Sequence, residues 1–285
     1  MAESSRVESF KGPRGGRDGS RRGWTILSQI PSERVPTSGL VRTPYIRILT
    51  YPKISLRAAR SRLAQLNKLG VELLIFEGRS KIGSLGILGI GTVSVVVKSE
   101  VGGEVFALKI RRTDANRPRM REEFELTRLA NRIGIGAEVL GHTKDLMLLQ
   151  YLDYVELHAW LKSLKGPERR AMARGIVHRV LNQCRKLDIM GLDHGQLSNL
   201  RKHVVVVNNA PYIIDFESAS LNRTPKNVTT AAQYMLIGGK MSALARLLIG
   251  VKSQGPLLAA LREYKETKSD VSYSHLLEVL RLSFD

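Results

Sequence analysis

Asp215 closes an apolar run, Tyr212-Ile213-Ile214, and opens Asp215-Phe216-Glu217. A carboxylate at the end of a buried strand is costly unless a cation compensates it. Lys109 lies between Leu108 and Ile110, so on a strand its side chain points opposite to both, into a cleft. A lysine pointing inward needs an anion, either a carboxylate or a phosphate. Gly89-Ile90-Gly91-Thr92-Val93-Ser94-Val95-Val96 reads as a turn. Its glycines let backbone approach phosphate without Cβ clashes, and its amides can bind phosphate oxygens. Glycine-rich hairpins are common; the lysine on a later strand is what gives this one weight. Asp193-His194-Gly195-Gln196 completes the set. Together these residue types support phosphate handling by a cation, backbone amides and a metal-binding carboxylate.

The elements that must position them follow from periodicity. Residues 82–110 read as strand, glycine turn, strand, Gly102-Gly103 turn, strand. Residues 117–134 read as a helix with Leu126, Leu129, Ala130 and Ile133 on one face and Gly134 at its end. Glu122 shares that face and is the expected partner of Lys109, with Glu123 and Glu125 as the alternatives. Residues 146–152 form a short apolar strand that suits a connection between two lobes. Backbone at Gln150 and Leu152 would take the edge of a planar base, although a plain core strand is an equal reading. Pro167 starts a long helix reaching about Leu187, strands follow at 204–207 and 212–214, and the chain from about Val228 is helical. A β-rich half followed by a helical half predicts an α+β, two-lobed fold with a cleft between.

Upstream, residues 53–70 predict an amphipathic helix, with Leu56, Ala59, Leu63 and Leu66 on one face and Arg57, Arg60, Arg62 and Lys68 opposite. One convincing helix is too few for a helix-turn-helix reader of nucleic acid, so a scaffold role is expected. The organisation is then a basic tail, 1–23; an extension, 24–84; a β-rich lobe, 85–150; and a helical lobe, 151–285. The tail, rich in Gly, Ser and Arg, is expected to be disordered. It is either an electrostatic tether for RNA or ribosome or a dispensable extension.

The 285 residues carry a formal charge of +19. That excess attracts phosphate, RNA or anionic surfaces and says nothing about fold. Cys184 is the only cysteine, which excludes an intrachain disulfide and a cysteine-rich zinc site. Apolar runs are too short for a bilayer, and the N-terminus lacks the apolar core of a signal peptide, so a cytoplasmic protein without membrane partners is expected.

These segments resemble the protein-kinase-like superfamily. They look most like the small predicted serine/threonine kinases of archaea, relatives of the RIO kinases and of the kinase in the tRNA threonylcarbamoylation complex. The carriers are Leu88-Gly89-Ile90-Gly91, Ala107-Leu108-Lys109-Ile110, Ala130-Asn131-Arg132-Ile133-Gly134-Ile135-Gly136, Asp193-His194-Gly195-Gln196-Leu197-Ser198 and Ile213-Ile214-Asp215-Phe216-Glu217, within roughly residues 50–236. The resemblance implies an ATP- and Mg2+-dependent kinase with a reduced helical lobe and an unidentified protein substrate. It implies phosphate contacts from Gly89, Gly91 and Ser94, with Val96 at the nucleotide. Lys109 would sit on the α/β-phosphates, held by Glu122. His194 would support the catalytic loop, and Asp215 would hold magnesium, with Asn199 and Glu217 as further ligands.

Two positions depart from the kinase pattern. Gln196 stands where a kinase has its catalytic aspartate, and Arg201 where it has a metal-binding asparagine. Glutamine orients a hydroxyl but has no basic site useful near neutral pH. Glu217 replaces a glycine; it or Asp193 could stand in for the missing base, or Glu217 could pair with an arginine. In the archaeal relatives Asp-Phe-Glu is usual and the position of Gln196 is commonly acidic. The sequence therefore supports a working kinase or ATPase in which Gln196 orients the nucleophile. The alternative is a nucleotide-binding pseudokinase acting as an RNA- or ribosome-associated binding module.

Overall fold

The computed structural model describes residues 32–116 and 120–282. The tail 1–23 lies outside the described residues. The fold is α+β, sheet-rich first and helical afterwards. The first part comprises β1 (Glu33–Pro36), α1 (Ile46–Thr50), α2 (Leu56–Lys68), β2 (Leu73–Phe76), β3 (Ser80–Ile82), β4 (Leu85–Ile87), β5 (Gly89–Ile90), β6 (Ser94–Val101), β7 (Glu104–Arg111), α3 (Arg121–Arg132), β8 (Val139–His142) and β9 (Leu146–Gln150). The second comprises β10 (Val155–Glu156), α4 (Leu157–Ser163), α5 (Arg169–Met190), α6 (Leu200–His203), β11 (Val204–Val207), β12 (Ala210–Ile213), α7 (Asn227–Gln233), α8 (Ser242–Ile249), α9 (Gly255–Thr267) and α10 (Asp270–Val279).

Seven strands form one antiparallel sheet in the order β1-β2-β6-β7-β9-β8, with β5 also on β6. Strand alternation decides what each face does. Val95, Val97, Leu108 and Ile110 are fully buried in one cluster with Leu49, Ala59 and Leu66 from α1 and α2. The opposite face of β6 and β7 carries Val96 and Lys109, which are cross-strand partners. Behind it, the helical part is built on α5, whose Ile176, Val177, Val180, Leu181, Cys184 and Leu187 are all fully buried. α5 ends on Gly191 in the left-handed conformation, as helices commonly do. Among the described residues no helix is long and apolar enough to cross a membrane.

Two expectations about the extension need correction. The boundary at 84 falls in the turn of the β3–β4 hairpin, and β1 and β2 are members of the main sheet. The segment 24–84 is therefore part of the first lobe over its described length. Arg62, expected on the solvent face of α2, is buried, while Leu56 is exposed. The reason is Asp145, in the turn before β9. Its carboxylate accepts from Arg111 Nη2 at 2.6 Å and Gln65 Nε2 at 3.0 Å, with Arg62 Nη2 at 3.8 Å. The Arg62 guanidinium also donates to the Leu49 carbonyl. Gln65 Oε1 accepts in turn from the Asp145 amide at 2.8 Å and from Thr143 Oγ1 at 2.7 Å. Burial lowers the Arg62 pKa, while Asp145 opposes that shift. Helix α2 thus docks by a polar plug as well as an apolar stripe.

Removing one partner of a buried ionic network is expected to cost about 3 kcal/mol. Arg62→Ala should therefore lower the urea midpoint with an unchanged slope, whereas Arg57→Ala on the exposed face of α2 should leave it in place. Equal midpoints for Arg62→Ala and wild type would remove the plug from the account.

Candidate functional site

The two parts meet at Lys109. Its ammonium lies 2.5 Å from Glu123 Oε1 on α3, 2.6 Å from Asp215 Oδ1 just after β12, and 3.8 Å from Glu217 Oε2. Burial is the largest influence on this amine and lowers its pKa. Glu123, Asp215 and Glu217 together outweigh it, and the amine ends above its ordinary value. The Asp215 carboxyl is pushed up by burial and pulled down further by Lys109, ending below its usual value. Asp215 also sits in the left-handed backbone region, at φ 71° and ψ 74°. A non-glycine residue there is strained, on the order of 1–3 kcal/mol, and such strain clusters at functional positions.

The expected partner of Lys109, Glu122, is incorrect: it is exposed, and Glu123 takes the role. Two faces of α3 are used rather than one. Glu123, Thr127 and Ala130 recur at i, i+4 and i+7 and are buried, whereas Leu126 is only partly buried, against the helical core. Phasing the helix on Leu126 and Leu129 selected the neighbouring face.

The glycine turn is present, between β5 and β6. Where a Cβ on Gly89 would sit, nothing lies within 4 Å. The Gly91 amide is already used, donating to the Ser94 carbonyl at 2.7 Å, and the Gly91 carbonyl accepts from Arg112 Nη1 at 3.0 Å. The exposed tip therefore offers Thr92 and Val93 rather than Gly91. Ser94, expected to cover phosphate, is 1% exposed and begins β6, so its hydroxyl is not at the tip. Val96 is partly exposed on the face of Lys109, as expected.

The strand expected to meet a planar base is β9, Leu146–Gln150. Met147 is the cross-strand partner of Lys109 and is fully buried, while Leu148 packs into the opposite core. The Gln150 amide donates to the Glu138 carbonyl at 2.8 Å, so it is not open to a ligand. Leu152 lies beyond the strand and joins an apolar cluster with Ala137, Leu149, Val205 and Ile214 that spans the two parts.

His194 is buried, with Nε2 3.1 Å from the Ile214 carbonyl and its ring 5.0 Å from that of Phe216. A carbonyl only accepts, so Nε2 carries the proton. Nδ1 is buried without a partner. Burial, helped by His203, pushes His194 down to about 4. Gln196 is half-buried, with its Oε1 enclosed and without a hydrogen-bond partner. Asn199 is exposed at the end of a short turn, so the structure brings Asp215 and Glu217 together but leaves Asn199 at the surface. Arg201 is also exposed and pairs with Glu156 at 2.9 Å. Among the described residues there is no cluster of three or more His, Cys, Asp or Glu suited to a metal ion.

A stretch of 93 residues, 32% of this chain, is 31% identical to the uncharacterized protein MJ1211 of Methanocaldococcus jannaschii and covers 79% of it. The chain belongs to the family of MJ1211. No family model matches the chain. MJ1211 is itself uncharacterized, so the kinship assigns no chemistry.

Several residues of this MJ1211 relative hold the site without having been legible as its parts. Asn227 donates its side-chain amide to Asp188 Oδ1 and to the Leu192 carbonyl, each at 2.8 Å, and accepts from the His194 amide at 2.9 Å. Asp188 is buried and also accepts from Tyr264 at 3.0 Å. Arg223 donates to Asp193 Oδ2 at 2.7 Å and to the Ser218 carbonyl at 2.5 Å, joining the His194 loop to the segment after Asp215. Asn131 pins the loop after α3 through Ile135, Ala137 and Val139. Two glycines permit close approaches: a Cβ on Gly195 would meet the Ser218 carbonyl at 2.6 Å, and one on Gly136 would meet that of Ile213 at 3.2 Å.

The depressed pKa of His194 fixes the sign of a pH effect. The unfolded chain binds a proton near pH 6.5 that the folded imidazole refuses until about pH 4. This stabilisation is complete above about pH 6.5 and is lost as pH falls toward 4, a change on the order of 3 kcal/mol. His203, also lowered by burial, acts in the same direction. His194→Gln should therefore flatten the fall of the urea midpoint between pH 7 and 4.5 without abolishing it; an unchanged slope would contradict the assignment.

Proposed function

We propose that this chain is an ATP- and Mg2+-dependent serine/threonine kinase or ATPase of the protein-kinase-like kind. The observation that carries this reading is a lysine from the sheet held at 2.5 Å by a helix glutamate and at 2.6 Å by an aspartate from the other part. Such a lysine, fixed by a carboxylate, presents a cation of set position to phosphate oxygens. The open space at Gly89 and the exposed Thr92, with Val93 half-buried beside it, leave room for phosphate.

The residues fit magnesium. Asp215 and Glu217 bring carboxylates to the same ammonium, so acids outnumber cations there. Magnesium takes one or two carboxylates with the phosphates themselves, and a third acidic ligand is not required. When bound, the ion would neutralise phosphate charge. Lys109 binds and orients the nucleotide, Glu123 fixes Lys109, and the apolar Val96, Met147, Leu152 and Ile214 exclude water from the base. Gln196 orients the acceptor hydroxyl and takes no proton. Asp193, 2% exposed and held by Arg223, does not replace the missing base. Loose phosphoryl-transfer transition states demand little of a base, so Gln196 is compatible with turnover. The pseudokinase reading draws on that same glutamine. Its second argument, Arg201 in the metal position, is weakened by the pairing of Arg201 with Glu156.

The test is thermal stabilisation by Mg-ATP, which amounts to about 2.7 kcal/mol at 100 times Kd. Asp215→Asn should lose the magnesium-dependent share while folding normally, since its side chain is one-third exposed. Stabilisation as in wild type would remove the metal role from Asp215. Glu123→Gln should weaken nucleotide binding and Glu122→Gln should not. Equal effects would detach Glu123 from the site.

Gln196→Asp should raise turnover, by up to about 100-fold, with nearly unchanged affinity for ATP. A variant that binds Mg-ATP as well as wild type yet shows no phosphate release or transfer would favour the pseudokinase.

A further inference from the structure

A groove of about 450 Å³ lies on the helical part, between the His194 loop, α7 and α9. It falls within the range of small-molecule pockets, about 300–1,000 Å³. One wall is a single face of α9: Leu258, Arg262 and Lys265 recur at i, i+4 and i+7. Lys226 faces them from the start of α7, and Leu197 and Ile237 add to the apolar lining. Ser198 and Thr230 contribute hydroxyls.

Charge in this groove is unbalanced. Lys226, Arg262 and Lys265 form no ion pair among the described residues. Asp193, the acid at its edge, is already held by Arg223 at 2.7 Å. Like charges three apart on a helix repel, so Arg262 and Lys265 disfavour the free helix slightly. Unpaired surface cations are ordinary in a chain of formal charge +19. These three differ because they converge on one concavity with an apolar floor.

We propose that this groove binds a phosphate monoester of a small organic molecule. The phosphate lies among Lys226, Arg262 and Lys265, with Ser198 and Thr230 as hydroxyl donors. The body of the molecule lies against Leu197, Ile237 and Leu258. A compact dianion suits three convergent cations, and the bounded volume favours a small molecule over an extended polyanion. The groove borders the loop that carries Gln196 but is not lined by Lys109, Glu123 or Asp215, and the proposal does not rest on the kinase reading.

Isothermal titration calorimetry of the full chain tests this with phenyl phosphate, inorganic phosphate and a single-stranded RNA oligonucleotide. Phenyl phosphate should bind at one site and more tightly than inorganic phosphate. Lys226→Ala, Arg262→Ala and Lys265→Ala should each weaken it roughly tenfold, the scale of one charge-assisted hydrogen bond. All three side chains are exposed, so the variants should fold, which their thermal midpoints will show. Arg57→Ala, an exposed cation on α2, should leave binding unchanged. The proposal is overturned if phenyl phosphate binds no better than inorganic phosphate, or if it binds equally to all four variants. It is also overturned if only the RNA binds and the groove substitutions weaken that binding.

Discussion

A single buried ammonium organises the meeting of the two halves. Lys109 comes from the sheet and Glu123 from the helix packed beside it, whereas Asp215 and Glu217 come from the segment after β12. Any one of these charges, left alone in the interior, would be costly. Kept together they tie a strand, a helix and a loop 106 residues away to the same point. The apolar cluster of Ala137, Leu149, Leu152, Val205 and Ile214 closes the same seam without charge. The interface is therefore part greasy and part ionic, and the ionic part is where the backbone of Asp215 is strained.

That arrangement depends on less conspicuous hydrogen bonds. Asp188 is buried in α5 and is satisfied by Asn227 and Tyr264; Asn227 holds the His194 amide; His194 holds the Ile214 carbonyl, next to Asp215. From the other side Arg223 ties Asp193 to Ser218. Each link places a group whose position matters by fixing the group before it, as supporting residues do around catalytic and metal sites. The pathway runs from the last turn of a long helix to the cleft.

The sequence was most legible where alternation and turn chemistry act locally. The β6–β7 hairpin, the glycine turn, α5 and the strands around Asn208-Asn209 lie where their residues predict, and Lys109 points as its neighbours require. Failures came where a distant partner decided. Arg62 reads as solvent-exposed by its charge, in company with Arg57 and Arg60, although helical phase sets it nearer Ala59 and Leu66; the carboxylate that holds it inward is Asp145, far along the chain. Glu122 shares its helical phase with Leu126 and Leu129, but the buried residues of α3 are Glu123, Thr127 and Ala130, one position along. Ser94 fits a phosphate-loop pattern as a letter, yet strand pairing buries it. Asn227, Asn131 and Arg223 carry no local signal, since an isolated polar residue reads the same on a surface as in a support.

The sheet ladder gives the segment before residue 85 a meaning beyond docking a helix. β2 pairs with β6 through Leu73–Glu100, Leu74–Ser99 and Ile75–Lys98, and β1 pairs outside it. A shortened chain starting at the glycine turn would strip β6 of β2, its neighbour along residues 98–100, and with it β1. The unpaired backbone of residues 98–100 would face water as an open edge, beside the apolar patch uncovered by the loss of α2. Open edges of that kind recruit other chains, so the short form would be prone to self-association. The amino-terminal strands act as a guard for the sheet.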